Sequence, residues 1–425
     1  MDTGRQKNQR KFVTLGLVVA STTVGLMGTD LVLPAVPSLP EALGSHAGSA
    51  QLVLAAYVGG SCLGLILYGM LGDLAATTRL FVGSLLATAL VSFACSRAPT
   101  IEALIALRIV QGIVSAGPAV FAPGIVKAMF TGSGVVRAMG ALGSIEALAP
   151  ALAPIVGAAL VVLGGWQLSF ELMAAMSLVI AALIWLLGGV PQLVGRAHGS
   201  FLALLRDPVF LRYALSQAAV LGGLLVFVFG MPTVIVRVFG GSLTQFVAMQ
   251  LTGIAVFMVA ANLAPRAVAQ FGAEKVITLG TWLAAAGAAA QFVYALTDGT
   301  SMVAISVMMV PVNAGLGLRG PAGFFRAIVA SRGDDARGSA LVILGILGSV
   351  TLGTALVSPW IEYGSAPIAG AALAFHLVAV LSLAMLPKLE CEEEADGLQG
   401  EGGRPGEGGL QGGGQAAALS PPSVS

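Results

Sequence analysis

Charged residues are scarce in this sequence. Asp, Glu, Lys and Arg make up 10% of the 425 residues, whereas hydrophobic residues make up 57%. Because soluble globular domains carry about 25% charged residues, a shortage this large excludes an ordinary soluble protein. The formal net charge of +1 also excludes the basic surface expected of a nucleic-acid-binding protein. The composition therefore predicts a protein surrounded by the lipid bilayer.

Cysteine and histidine are scarce as well. The three cysteines, Cys62, Cys95 and Cys391, are too few and too far apart for a disulfide framework or a metal site. The three histidines lie far apart, without the spacing of metal ligands. No nucleophile–base pair or nucleotide-binding loop stands out. The sequence therefore predicts neither an enzyme nor a protein with a metal or other cofactor.

Long apolar stretches, in contrast, recur along the chain between short polar breaks. An apolar stretch of about 20 residues is long enough to span a bilayer as a helix. The predicted fold is an all-α integral membrane protein of twelve transmembrane helices in two six-helix halves. The predicted spans are 12–33, 51–71, 80–96, 101–124, 139–162, 170–190, 212–231, 246–264, 276–296, 302–320, 339–361 and 367–386.

The spans divide the chain into five parts. The predicted parts are a cytoplasmic N-terminus (1–11), a first six-helix bundle (12–190), a central cytoplasmic loop (191–211), a second bundle (212–386) and a cytoplasmic tail (387–425). The basic N-terminus resembles a signal peptide, but the apolar stretch after it is too long, so we expect a retained first helix. The tail is acidic and then glycine-rich, which predicts disorder.

Basic residues indicate the orientation. With the N-terminus in the cytoplasm, all but four of the 21 lysines and arginines fall in inner loops and tails. Arg97 and Arg237 fall in outer loops, and Arg108 and Arg319 fall within helices. Because cytoplasmic loops are enriched in Lys and Arg, both termini are predicted to be cytoplasmic. Arg319 is near the inner end of its span, and its side chain is expected to extend to the membrane interface.

A carboxylate interrupts the first span. Asp30, in "GTDLVLPAVP" (28–37), lies about four residues below the outer end of its helix, and Arg108 about seven below the outer end of the fourth. At such similar depth the two side chains could form a pair. An arginine keeps its proton at any useful pH, so Asp30 would be the titrating partner. The alternative is that Asp30 only caps the outer loop before Pro34.

A second acid lies in the fifth span. A spacing of three or four residues places Glu146 on one helix face together with Gly143, Pro150, Pro154 and Gly157. Prolines and glycines along one face predict a bent, smooth surface suited to sliding helix contacts. Glu146 is either a second proton or cation site or a side chain that reaches the inner interface.

Several of these motifs resemble the major facilitator superfamily, specifically its twelve-helix drug:proton antiporters of the bicyclomycin and chloramphenicol resistance (Bcr/CflA) type. "TDLVLPAVPSLP" (29–40) resembles the helix 1 signature of that group, and "LRIVQG" (107–112) resembles its helix 4 motif through Arg108, Gln111 and Gly112. The resemblance covers roughly residues 12–386. It implies that Arg108 lines a cavity and takes part in proton transfer.

The segment "YGMLGDLAATTRL" (68–80) resembles the gating signature between helices 2 and 3 of that superfamily. Gly69, Asp73 and Arg79 are present, but most of the usual basic residues are missing. Asp73 is expected to meet the positive N-terminus of helix 11 and hold the inner gate shut in one state. The face of the fifth helix loosely resembles the antiporter motif, which is associated with export, through Pro150, Pro154 and Gly157.

Together these features predict a proton-coupled efflux transporter that exports small amphipathic drugs by alternating access. Its expected partners are a small-molecule substrate, protons and lipid, and it is expected to be a monomer in a bacterial cytoplasmic (inner) membrane. Tyr57, Gln111 and Phe121 are candidate cavity residues, with core packing as the alternative for the two aromatic side chains. Two other functions stay open: an exporter of an endogenous metabolite, such as a sugar, amino acid or siderophore, and a non-transporting membrane receptor or scaffold.

Overall fold

The structure, a computed structural model, describes residues 2–71, 76–130, 133–193, 201–332 and 334–389. Within these ranges the chain is helical and contains no strand. The long helices of the described ranges are α1 (Asp2–Asp30), α2 (Ala47–Leu71), α3 (Thr77–Ser96), α4 (Ile101–Ser115, continued by Gly117–Met129), α5 (Ser133–Gly164), α6 (Gln167–Leu186), α7 (Pro208–Thr233), α8 (Leu243–Phe271), α9 (Ala273–Leu296), α10 (Met302–Val329), α11 (Asp335–Val357) and α12 (Ala366–Met385).

Most of these helices have the length and apolar composition of membrane spans. Eleven helical stretches among the described residues meet both conditions. The helix outside that set is α5, whose apolar part in the described residues is the shorter stretch Leu152–Gly164. The all-helical membrane fold is thereby confirmed, whereas the count of twelve spans, the domain boundaries and the cytoplasmic termini stay predictions.

Each half of the bundle is built from close helix pairs. In the first half α2 packs against α4, α3 against α6, and α1 against α5. In the second half α10 packs against α8 and α9, and α7 packs against α11 and α12. The halves meet where α2 packs against α11 and α5 against α8. We call the end that contains residues 31–46 and 234–242 the distal end, and the opposite end, with residues 187–193, the proximal end.

The chain after α1 stays inside the protein. The helix ends at Asp30 and is followed by a 3-10 turn (Leu33–Ser38) and a short helix (Leu39–Leu43). Prolines suit such a turn because they lack the backbone N–H that an α-helix would need. Residues 31–33, 35 and 36 have no solvent-exposed area. Asp30 therefore lies within a helical stretch, Arg10–Leu43, that continues well past it.

The segment after α6 is attached to the start of α3. The backbone N–H of Thr77 donates to Oε1 of Gln192 at 2.9 Å, and Oγ1 of Thr78 donates to the carbonyl oxygen of Val190 at 2.9 Å. The connection between the halves thus begins on the proximal surface of the first half. Further along, Phe201–Leu204 form a single helical turn.

Candidate functional site

Arg108 of α4 lies in the interior of the first half, and its side chain has no exposed area. Its Nε donates to the carbonyl oxygen of Val53 at 3.1 Å, Nη1 to Oε1 of Gln111 at 2.6 Å, and Nη2 to the carbonyl oxygen of Gly28 at 3.0 Å. These acceptors belong to α2, α4 and α1, so one guanidinium joins three helices. A buried charge is tolerated only with such partners, because removing it from water costs several kcal/mol.

Two aromatic rings cover the same guanidinium. Its Cζ lies 4.1 Å from the ring centroid of Tyr57 and 5.6 Å from that of Phe170. The Tyr57 hydroxyl donates to the carbonyl oxygen of Gly25 at 2.6 Å and lies 2.8 Å from Oγ of Ser115. A desolvated cation over an aromatic face gains about 2 kcal/mol. Tyr57 therefore holds Arg108 in place and ties α2 to α1 and α4.

Gln111 completes the set around Arg108. Its Oε1 accepts from Arg108, and its Nε2 donates to Oγ of Ser92 in α3 at 2.7 Å, while the side chain has no exposed area. Phe121, 3% exposed, packs edge-on against Tyr68 with ring centroids 6.0 Å apart. Tyr57, Gln111 and Phe121 are thus buried in this structure, and their place in a substrate cavity stays a prediction.

Asp30 is half-buried and forms no ion pair within 4.0 Å with Arg108. The direct pair expected from their similar depth is not formed, because carbonyl and amide oxygens occupy the guanidinium. The last carbonyls of a helix lack intrahelical partners. At the end of α1 the N–H of Leu31 bonds to Met27 and that of Val32 to Thr29, whereas the carbonyl of Gly28 accepts from Arg108. Asp30 and Arg108 are thus linked through the α1 backbone.

Glycine is required at position 28 for a steric reason. A Cβ placed there would overlap the aromatic ring of Tyr57. Without a side chain, α1 approaches Tyr57 closely enough for the carbonyl of Gly28 to reach Arg108. The residue beside the interrupting acid is therefore part of the same site.

The α5 face of prolines and glycine also contacts the end of α1. A Cβ on Gly157 would lie 3.1 Å from the carbonyl carbon of Leu31 and 3.2 Å from Cδ of Pro34. Pro154 is buried and Pro150 half-buried. Glu146 lies within α5, but its side chain is outside the described set. This face therefore packs immediately beside Asp30.

Two of the predicted gating residues, Gly69 and Arg79, lie at the proximal end. Gly69 is exposed, with open space where a Cβ would be, and Arg79 is exposed as well. Asp73 lies outside the described residues. The predicted contact of Asp73 with the start of α11 stays a prediction.

The expectation for Arg319 is wrong. Its side chain has no exposed area, and Nη1 and Nη2 donate to the carbonyl oxygen and Oγ of Ser216 in α7, at 3.2 and 2.9 Å. The predicted span ends at residue 320, but α10 continues to Val329, so Arg319 lies inside the helix rather than near its end. Arg108 and Arg319 are therefore alike in that each is fully buried and bonds to the first helix of its own half.

Sequence analysis also missed Glu274. This side chain, in the first turn of α9, forms ion pairs with Nη2 of Arg212 at 3.0 Å and Nη1 of Arg326 at 3.4 Å, and it accepts a hydrogen bond from Tyr213. Both arginine side chains are nearly buried, 2% and 6% exposed. An acid two residues after Gly272, at a helix start, was the available signal. Glu274 joins α7, α9 and α10 at the proximal end.

We expect Glu274→Gln to lower the free energy of unfolding by about 2–3 kcal/mol, because it removes the negative charge that faces the nearly buried guanidinium group of Arg212. Thermal unfolding of the purified protein in detergent measures the effect. Glu102→Gln is the matched control, since Glu102 is an exposed glutamate in the first turn of α4. Equal melting temperatures for the two variants would contradict the role given to Glu274.

Metal-ligating side chains do not cluster in the part of the chain that the structure describes. Among those residues there is no group of three or more His, Cys, Asp or Glu that could hold a metal ion.

The sequence matches a known protein family over most of its length. Residues 18–358 match the Major Facilitator Superfamily. The uncharacterized MFS-type transporter YdgK of Bacillus subtilis (strain 168) is 28% identical over 56% of this chain and 61% of its own length. A chloramphenicol resistance protein of Pseudomonas aeruginosa is 26% identical over 77% of this chain and 79% of its own length. A bicyclomycin resistance protein homolog of Haemophilus influenzae is 24% identical over 66% of this chain and 74% of its own length.

Solved structures show the same architecture. A bacterial homolog of the human lysosomal transporter Spinster, in an inward-facing and unoccupied conformation, matches with a TM-score of 0.69 and 15% identity, over 88% of this chain and 96% of that one. This likeness concerns the fold, and the sequence match covers most of the chain. The chain therefore belongs to the Major Facilitator Superfamily, as a multi-pass membrane transporter and not an enzyme.

Proposed function

We propose that this protein is a proton-coupled exporter of small amphipathic drugs that works by alternating access in a bacterial inner membrane. The observation that carries the proposal is the half-buried carboxylate of Asp30, which has no ion-pair partner among the described residues and lies within a membrane-spanning stretch. Ionisable groups at such a position are costly and commonly functional.

The neighbours of Asp30 support a proton-handling role. Arg108 is fully buried and keeps its proton. It therefore supplies a fixed positive charge at the carbonyl of Gly28, two residues before Asp30 in α1. The carboxylate is the group that can exchange a proton. Protonation removes its negative charge and lowers the cost of burying it. The occupancy of Asp30 by a proton thus changes which environment the end of α1 prefers.

The packing supports a route from the end of α1 to other helices. The end of α1 is bonded to α4 through Arg108 and packs on the α5 face at Gly157. Because α5 packs against α8 of the other half, a displacement of the α1 end is transmitted to the contact between halves. Movement of one proton inward releases about 2.3 kcal/mol of free energy per 100 mV of membrane potential, and this free energy drives export.

Drugs are the substrate class that the relatives support. Two of them carry the names of resistance to chloramphenicol and bicyclomycin. We propose that this chain transports small, weakly polar molecules of that kind as a monomer. Tyr57 and Gln111 act in this proposal by holding Arg108 rather than by touching substrate, and Glu146 stays a candidate second proton site.

Efflux from everted membrane vesicles tests the proposal. Chloramphenicol should accumulate in vesicles that contain the protein when a proton gradient is imposed, and an uncoupler should remove that accumulation. Vesicles without the protein are the control. Accumulation that persists with the uncoupler would contradict proton coupling. An exporter of an endogenous metabolite would instead show no drug flux, together with loss of metabolite secretion in a deletion strain.

A further inference from the structure

Polar contacts join the two halves at the distal end. In α2, Gln51 bonds to α7, and Arg237, in the turn that follows α7, bonds to the carbonyl oxygen of Pro37 at 3.2 Å and to Glu41 at 3.8 Å. Beside the second set lies a cavity of about 420 Å³, lined from both halves. These contacts exist only while the halves are closed against each other at this end.

Gln51 uses both ends of its amide in this contact. Its Nε2 donates to the carbonyl oxygen of Phe229 at 2.9 Å, and its Oε1 accepts from Oγ1 of Thr233 at 3.5 Å. The side chain has no exposed area. Both partners lie in the last two turns of α7, which contain Pro232 and run into a π-helical turn, Val234–Val238. Such irregular helix ends are frequent at functional positions.

Close packing of α2 on the second half accompanies this contact. A Cβ on Gly48 would lie 2.6 Å from the carbonyl oxygen of Ser358, and a Cβ on Gly59 would lie 3.0 Å from Cγ2 of Thr351. These two glycines lie on either side of Gln51 along α2. Around Gln51, α2 therefore packs closely on α11 and the turn that follows it, and the amide has its hydrogen bonds to Phe229 and Thr233 of α7.

The ion pair of Arg237 and the hydrogen bonds of Gln51 differ in how strongly they hold the distal end closed. The ion pair of Arg237 is long, and the side chain of Glu41 is 87% exposed, so the pair adds little to closure. Opening the distal end exchanges both bonds of this amide for hydrogen bonds to water, and an intramolecular bond keeps a modest net advantage over that exchange. Gln51 therefore favours the closed distal end more strongly than the visible ion pair does.

We infer that Gln51 is a positioning residue that latches the distal end closed and sets the balance between the two orientations of the transporter. The inference rests on the proposed function only in assuming that the halves move during transport. Gln51 acts by fixing the position of α2 against α7. Its replacement should therefore change the populations of the two states, and this change can be measured without any substrate.

Spin-label distances in the full-length protein in lipid nanodiscs test the latch. Labels at Ala42→Cys and Thr244→Cys, both exposed, report the distal separation of the halves on a background in which Cys62, Cys95 and Cys391 are replaced. We expect Gln51→Leu to raise the ratio of open to closed distal ends about tenfold, the effect of losing two hydrogen bonds. Labels at the exposed Ala76→Cys and Lys275→Cys should show the proximal end closing in parallel.

Gln291→Leu is the matched control. Gln291 is another buried glutamine, 4% exposed, and it lies in α9 within the second half. Its replacement should leave both distance distributions as in the parent protein. A distal distribution unchanged by Gln51→Leu, or one changed equally by Gln291→Leu, would overturn the inference.

A second variant protects the test if Gln51→Leu does not fold. Thr233→Val removes only the longer bond and should raise the open fraction about two- to threefold. A folded Thr233→Val protein with the parent distribution would count against the latch. If Gln51→Leu opens the distal end but the parent protein moves no drug, the latch stands and the proposed function fails. If drug efflux is proton-coupled but the distances do not respond to Gln51→Leu, the proposed function stands and the latch fails.

Discussion

Asp30→Asn should abolish proton-driven drug accumulation in everted vesicles, with a fall of at least about 100-fold, while leaving the protein folded. Asparagine has nearly the shape of a protonated aspartate but cannot exchange a proton, so the protein loses the coupling step alone. Asp30 is half-buried and has no ion-pair partner among the described residues, so the change breaks no ion pair within that part of the chain. Exchange of labelled for unlabelled drug without a gradient should persist.

Asp298→Asn provides the matched control for this prediction. Asp298 is an exposed carboxylate in the turn after α9, and its φ of 53° is a conformation that asparagine adopts readily. Its replacement should leave accumulation at the parent level. Undiminished coupled efflux in Asp30→Asn would exclude Asp30 as the proton-exchanging group. Loss of exchange together with accumulation would show that Asp30 also holds the substrate or the fold.

Arg108→Lys should reduce coupled efflux to background and also destabilise the protein. A lysine keeps the charge, but one ammonium group cannot reach acceptors on α1, α2 and α4 at once. The carbonyl oxygens of Gly28 and Val53 then lose a buried donor, which costs about 1–3 kcal/mol for each group. Thermal unfolding and vesicle accumulation, measured on the same preparations, give the two effects separately.

Arg319→Lys separates the role of Arg108 from that of any buried arginine. Arg319 is equally buried, but its acceptors among the described residues belong to Ser216 alone, which a single ammonium group can reach. This variant should unfold at a moderately lower temperature and keep proton-coupled accumulation. Coupled efflux at the parent level in Arg108→Lys would contradict the need for a guanidinium at position 108.

The sequence allowed the membrane fold to be predicted because hydrophobic length and charge spacing are local properties. It also identified Arg108 and Gln111, whose three-residue spacing lets their side chains meet on one helix. The missing direct bond between Asp30 and Arg108 was not predictable in this way. It depends on which carbonyl oxygens at the end of α1 are left without a donor, and only the turn after Asp30 decides that.

Two further residues escaped for related reasons. Hydropathy ended the tenth span at residue 320, since Arg326 and the polar residues beyond interrupt the apolar run, so Arg319 looked like an end residue although α10 continues. Gln51 coincided with the predicted start of the second span and looked like a boundary residue. Its role follows from a helix 178 positions away along the chain, and such a partner has no signature in local composition.

The buried turn after α1 determines where this protein can be tagged. Reporter fusions and epitopes are commonly inserted into the first loop of a membrane protein to learn which side it faces. Here the segment 31–39 fills the core of the distal end, and an insertion there would disrupt folding before it reported a location. The exposed residues Glu41, Ala42 and Gly44 form the first stretch after α1 that can accept a foreign sequence. The sidedness of both termini is best measured from that position.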